Sequence, residues 1–127
     1  MQVRDYLSEI LSKIAANPYV ESQNISFEER PPDTAYVTGI ITFSDGSKLH
    51  IKEYLILKSG IVDIVMYGYN YLSKDDNLIF RYDNAADPAA KNLSTYPEHK
   101  HTEKGLSSAK RPALEEILEE IAGLIYI

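Results

Sequence analysis

The sequence predicts an α+β fold, a four- to six-stranded antiparallel meander sheet with an N-terminal and a C-terminal helix packed on one of its faces. Three observations carry that reading. Apolar residues recur at helical spacing near both ends of the chain and at two-residue spacing between them. The alternating runs are joined by short polar turns, so successive strands pair as antiparallel neighbours. The 127 residues contain no linker and no repeat, which predicts one domain, 1–127, long enough to bury a core without disulfides.

The first helix covers residues 2–16. Val3, Tyr6, Leu7, Ile10, Leu11 and Ile14 form its apolar stripe, with Arg4, Asp5, Glu9 and Lys13 on the other side. Asn17-Pro18 ends it, because proline disfavours a helical residue before it. Residues 25–29 are a short strand, broken by Pro31-Pro32-Asp33. Residues 34–43 form a longer β-branched strand, which Ser44-Asp45-Gly46-Ser47 turns back into residues 48–57; Asp-Gly supplies the positive φ of a tight turn. After Lys58-Ser59-Gly60 come a third long strand, 61–72, a polar turn, 73–77, and the strand 78–83. Residues 84–97 are loop and 99–103 a short edge strand. Ser107-Ser108 lead toward a second helix over 112–122, with Leu114, Ile117, Leu118 and Ile121 inward and Glu115, Glu116, Glu119 and Glu120 outward. Its early proline and glutamates suit a helix start. Gly123 ends it, and the apolar residues 124–127 are expected to pack on the core or on a second copy as a homodimer contact.

Composition removes several classes of function. There is no cysteine, so disulfides and thiolate metal sites are excluded. The start of the chain is not a signal peptide, and no apolar run approaches the length of a membrane span, which predicts a cytoplasmic protein without a membrane partner. A net charge of -6 works against wholesale neutralisation of a nucleic-acid backbone. The charge is uneven, however: Lys91, Lys100, Lys104, Lys110 and Arg111 outnumber Glu98 and Glu103 in residues 91–111. Phosphate-binding glycine loops, the Gly-x-Ser-x-Gly elbow, the dinucleotide fingerprint and His-Glu-x-x-His are all missing.

The polar, titratable groups gather in two places, Phe80-Arg81-Tyr82-Asp83-Asn84-Ala85 and Tyr96-Pro97-Glu98-His99-Lys100-His101. Strand alternation puts Phe80 and Tyr82 on one face and Arg81 and Asp83 on the other. Arg81 suits bidentate phosphate binding, or with Asp83 forms an ordinary ion pair. His99 and His101 share a face. They can act as base and acid on a phosphodiester, with Arg81 or Lys100 on the developing charge, or chelate a metal with Asp83, Asp87 or Glu53, or stand on a polar edge strand. Glu53 is a carboxylate among Leu49, Ile51, Leu55 and Leu57, either protonated in the core, turned out by a bulge or met by an Arg partner. Tyr67, Tyr69 and Tyr71 line one face, as packing or as a base-stacking platform.

These segments resemble the small bacterial and archaeal TumE toxin family. The resemblance runs from Phe43 to the end of the chain. It rests on Phe43-Ser44-Asp45-Gly46-Ser47-Lys48-Leu49, Glu53, Tyr67-Gly68-Tyr69, Leu78-Ile79-Phe80-Arg81-Tyr82-Asp83-Asn84-Ala85, Tyr96-Pro97-Glu98-His99-Lys100-His101 and a closing amphipathic helix. It implies a toxin–antitoxin pair in which a helix-turn-helix antitoxin neutralises this chain, with RNA as the suspected substrate. The sequence departs from the family in three places. Ala86-Asp87-Pro88 stands where Pro-His-His is typical, Glu98 replaces the first His of a His-His-Lys-His run, and Asn70 stands where a His often follows the Tyr strand.

Two expectations result. In the first, a toxin-like ribonuclease or related nucleic-acid-processing enzyme uses Arg81, Asp83, His99, His101 and Glu53 catalytically, binds substrate through Lys100, Asn84 and Tyr69, and has no assigned cofactor or metal. In the second, a non-catalytic module binds a protein partner through its sheet or tail.

Overall fold

The computed structural model describes residues 3–125. Helix α1 (Val3–Ala15) precedes seven strands, β1 (Val20–Arg30), β2 (Thr34–Phe43), β3 (Lys48–Lys58), β4 (Ile61–Leu72), β5 (Leu78–Asp83), β6 (His99–Thr102) and β7 (Gly105–Ser108), and helix α2 (Leu114–Ile125) follows. The strands lie in chain order in one antiparallel sheet. This is the α+β meander that the sequence predicts, with one strand more than the upper expectation. The extra strand is β7, which returns from β6 through Glu103-Lys104 and pairs Thr102 with Gly105. Gly-Leu-Ser-Ser carries little strand propensity, so pairing with β6 makes the strand where local preference does not.

Two boundaries also move. β1 begins at Val20 rather than 25, because Glu21, Ser22, Gln23 and Asn24 are exposed and present no alternation. α2 begins at Leu114 and runs through Gly123 to Ile125; its first turn is closed by the Glu116 carboxylate, which accepts from the Ala113 N–H. Of the apolar tail, Ile125 packs against the core and Leu124 is exposed, while residues 126 and 127 lie outside the described residues.

The sheet has two distinct faces. The inner one carries Val37, Ile41, Phe43, Leu49, Ile51, Tyr69, Tyr71 and Phe80, all buried, against Ile10 and Ile14 of α1 and Ile117, Leu118 and Ile121 of α2. Burying a large apolar side chain contributes about 1.5–3 kcal/mol, so this layer is what holds both helices. The outer face carries Tyr36, Lys52, Tyr54, Asn70, Arg81 and Asp83, with neither helix on it. A β-bulge at Val65 shifts the β3–β4 register between Tyr54↔Met66 and Leu55↔Ile64. Beyond β5 the chain crosses the outer face. A 3-10 helix over Pro88–Ala90 packs against β7, Ala90 is fully buried, and Ser94 Oγ donates to Ser108 Oγ.

Candidate active site

Pairing of β5 with β6 sets Arg81 opposite His101 and Asp83 opposite His99. All four side chains therefore belong to the outer face, since odd positions on both strands point the same way. His99 Nε2 lies 3.0 Å from Asp83 Oδ1 and 2.9 Å from His101 Nε2. On the other side of its ring, His99 Nδ1 donates to the Pro97 carbonyl at 2.7 Å. The loop seals this end of the sheet, so His99 is 1% exposed while Asp83 and His101 keep access to solvent. Burial, and then the neighbouring His99, push the pKa of His101 below the usual histidine value. Arg81 Nε donates to Asn70 Oδ1 at 2.6 Å, which ties the guanidinium to its cross-strand neighbour. No carboxylate forms an ion pair with Arg81 among the described residues.

A groove runs across the outer face from Tyr36 and Tyr54 past Lys52 and Asn70 to Arg81 and Asp83. Gly68 lies directly across from Asp83 and leaves the floor bare; a Cβ there would meet only the Asp83 Cβ, at 4.0 Å. Tyr36 and Tyr54 face each other at 4.7 Å between ring centroids, and the Arg30 guanidinium covers Tyr36 at 4.6 Å. Gly68 enters the sequence reading only within the Tyr67-Gly68-Tyr69 motif, and Tyr36, Tyr54 and Lys52 are not singled out there. The signal that finds them is the two-residue period of strands carried across the register from Asp83.

The remaining expected site residues stand elsewhere. Glu53 is buried on the inner face, where Tyr6 Oη donates to one carboxylate oxygen at 2.7 Å and Tyr69 Oη to the other. Burial, and then the Glu53 charge, raise both phenol pKa values far above normal, which keeps them as donors. Arg111 Nη1 donates to Tyr69 Oη at 3.3 Å. Glu53 touches no histidine, and its place in the core is explained by its two phenol donors, of which sequence reasoning misses Tyr6; the nearby arginine is Arg111, which donates to Tyr69 Oη. Tyr69 stacks on Tyr67 in the same layer. Lys100 also points inward: its Nζ lies 2.7 Å from Glu120 Oε2 of α2 and over the rings of Phe80 and Tyr82. Asn84 extends the β4–β5 ladder with its side chain, accepting from the Tyr67 N–H at 3.1 Å and donating to the Val65 carbonyl at 2.9 Å across the bulge. Of the eight expected residues, Arg81, Asp83, His99 and His101 come together; Glu53, Lys100 and Tyr69 lie behind the sheet, and Asn84 borders the groove as a backbone brace.

The chain is a small antiparallel-sheet domain with an acid–imidazole cluster and a guanidinium on the sheet face opposite its two α-helices. The chain belongs to the TumE toxin family, whose model, described as Toxin TumE, matches residues 9–125. Membership makes it a toxin-like component of a toxin–antitoxin system, with an antitoxin as partner. No curated protein and no solved structure shows a significant match. Among the described residues, no helix is long and apolar enough to cross a membrane.

Proposed function

We propose that this toxin acts in the cytoplasm as a ribonuclease, with its reacting centre at Arg81, His101, His99 and Asp83. The observation that carries the reading is the cross-strand pair Arg81↔His101 beside Asp83↔His99 on the sheet face opposite the two α-helices, with Arg81, Asp83 and His101 partly exposed. A phosphodiester over Arg81 meets a guanidinium that has no carboxylate ion-pair partner among the described residues and suits its oxygens. His101 takes the proton of the attacking ribose hydroxyl and returns it to the departing oxygen, so the proton count balances without an outside donor. His99, bonded to His101, and Asp83 behind it hold the ring and offset the charge that His101 gains. Lys52 flanks the groove as a cation, and the Tyr36–Tyr54 pair forms an aromatic wall beside it for a neighbouring nucleotide. The basic, aromatic groove offers RNA a local footing on a chain of net charge -6.

Induced expression of Arg81→Ala and His101→Ala in a host that lacks the antitoxin tests this. Both variants should lose growth inhibition while keeping the circular dichroism and melting behaviour of the folded protein. Full toxicity in both folded variants overturns the assignment.

A further inference from the structure

We propose that Asp83, His99 and His101 form a binding site for one divalent transition-metal ion of the zinc type. Their ligand atoms lie within 4.8 Å of one another, two pairs of them at 2.9 Å and 3.0 Å. Atoms bound to a common ion at about 2.0–2.2 Å stand about 3 Å apart, so small rotations of these side chains suffice.

The hydrogen-bond pattern points the same way. The Pro97 carbonyl can only accept, so it holds the proton of His99 on Nδ1. In the neutral ring Nε2 is then a bare lone pair, and it faces a carboxylate oxygen and a second imidazole nitrogen. Protonation of His101 Nε2 satisfies the imidazole contact but leaves carboxylate and lone pair opposed at 3.0 Å. A positive centre belongs among the three atoms, either an extra proton or a cation. The carbonyl behind His99 is also the outer-shell partner that metal-bound histidines ordinarily have.

Two imidazole nitrogens and one carboxylate oxygen suit zinc, cobalt, nickel or copper and disfavour magnesium and calcium, which prefer all-oxygen sites. Three protein ligands leave a coordination position open, and the two that keep solvent access, Asp83 and His101, set the side on which it opens. An ion in this position occupies the lone pairs that the proposed proton transfer needs, so the ion-bound and proton-transferring states exclude one another. Ion binding is measured without RNA and rests on three side-chain positions alone, so it and the ribonuclease reading can fail separately.

Cobalt titration of chelator-stripped protein, followed by visible absorption, is the test. One equivalent of Co2+ should produce ligand-field bands that Zn2+ removes and excess Mg2+ does not. His99 is buried, so the test variants are the partly exposed His101→Ala and Asp83→Ala, each checked by circular dichroism. Both should weaken Co2+ binding by at least about tenfold. His50→Ala, which alters the chain's remaining histidine, should bind like the parent. No one-to-one spectral change at millimolar Co2+, or binding that survives His101→Ala and disappears with His50→Ala, overturns the site.

Discussion

Asp83 and His99 are cross-strand partners whose side chains meet at 3.0 Å, with the imidazole 1% exposed. With Nδ1–H held by the Pro97 carbonyl, the contact is a charge-assisted hydrogen bond only when His99 Nε2 also carries a proton, and it then contributes about 1.5–3 kcal/mol. Asp83→Asn keeps the shape and removes the charge. Urea unfolding should show a loss of about 1–3 kcal/mol with an unchanged m-value, and growth inhibition should fall in the same variant.

Gly68 offers a test that separates the groove from stability. Its position accepts a Cβ without a clash, and β-branched residues suit a strand. Gly68→Val should therefore melt at or above the parent temperature. The same side chain stands in the groove beside Asp83, so growth inhibition should drop sharply. A stable Gly68→Val protein with undiminished toxicity places the substrate elsewhere.

The inner-face residues should behave in the opposite way. Lys100→Met removes an ion pair with Glu120 and cation contacts to Phe80 and Tyr82, and should cost about 1 kcal/mol. Glu53→Ala leaves the Tyr6 and Tyr69 hydroxyls without their acceptor and should cost about 3–5 kcal/mol. Lys100→Met should still arrest growth at a temperature where it is folded. Loss of toxicity in folded Lys100→Met protein would contradict the assignment of function to the outer face.

Acid sensitivity has one identifiable source in the β2–β3 turn. Burial alone would raise the Asp45 pKa, but hydrogen bonds from the Ser47 hydroxyl and N–H outweigh it and hold the carboxyl below the usual range. A lowered folded-state pKa stabilises fully above the unfolded value of about 3.9 and is lost as pH falls through the folded one. Ser47 also accepts from Tyr71 Oη at 2.8 Å. Ser47→Ala should cost about 1–3 kcal/mol at neutral pH. The gap to the parent should narrow as the pH drops below about 4, as thermal melts across the acid range will show.

Much of this arrangement is legible in the residues themselves. Two-residue alternation separates Phe80 and Tyr82 from Arg81 and Asp83, and it pairs His99 with His101. The same period applied to His99-Lys100-His101 already sends Lys100 to the helix side. What alternation cannot supply is register between strands separated by a loop, and the segment between Asp83 and His99 hides the pairing Arg81↔His101. Glu53 illustrates the same limit: Tyr6, which donates to it, comes from α1, Arg111, which donates to its other partner Tyr69, comes from the segment before α2, and only the tertiary fold gathers them. β7 escapes notice because four residues without β-branching carry no signal of their own.

The most direct measurement is cleavage of an end-labelled RNA by the purified toxin, compared with Arg81→Ala and His101→Ala at matched folded concentration. The account predicts cleavage by the parent and a loss of at least about a hundredfold in each variant, the scale of a missing acid–base or charge-stabilising group. Parent-like cleavage by either folded variant, or a toxic parent that leaves RNA intact, contradicts it.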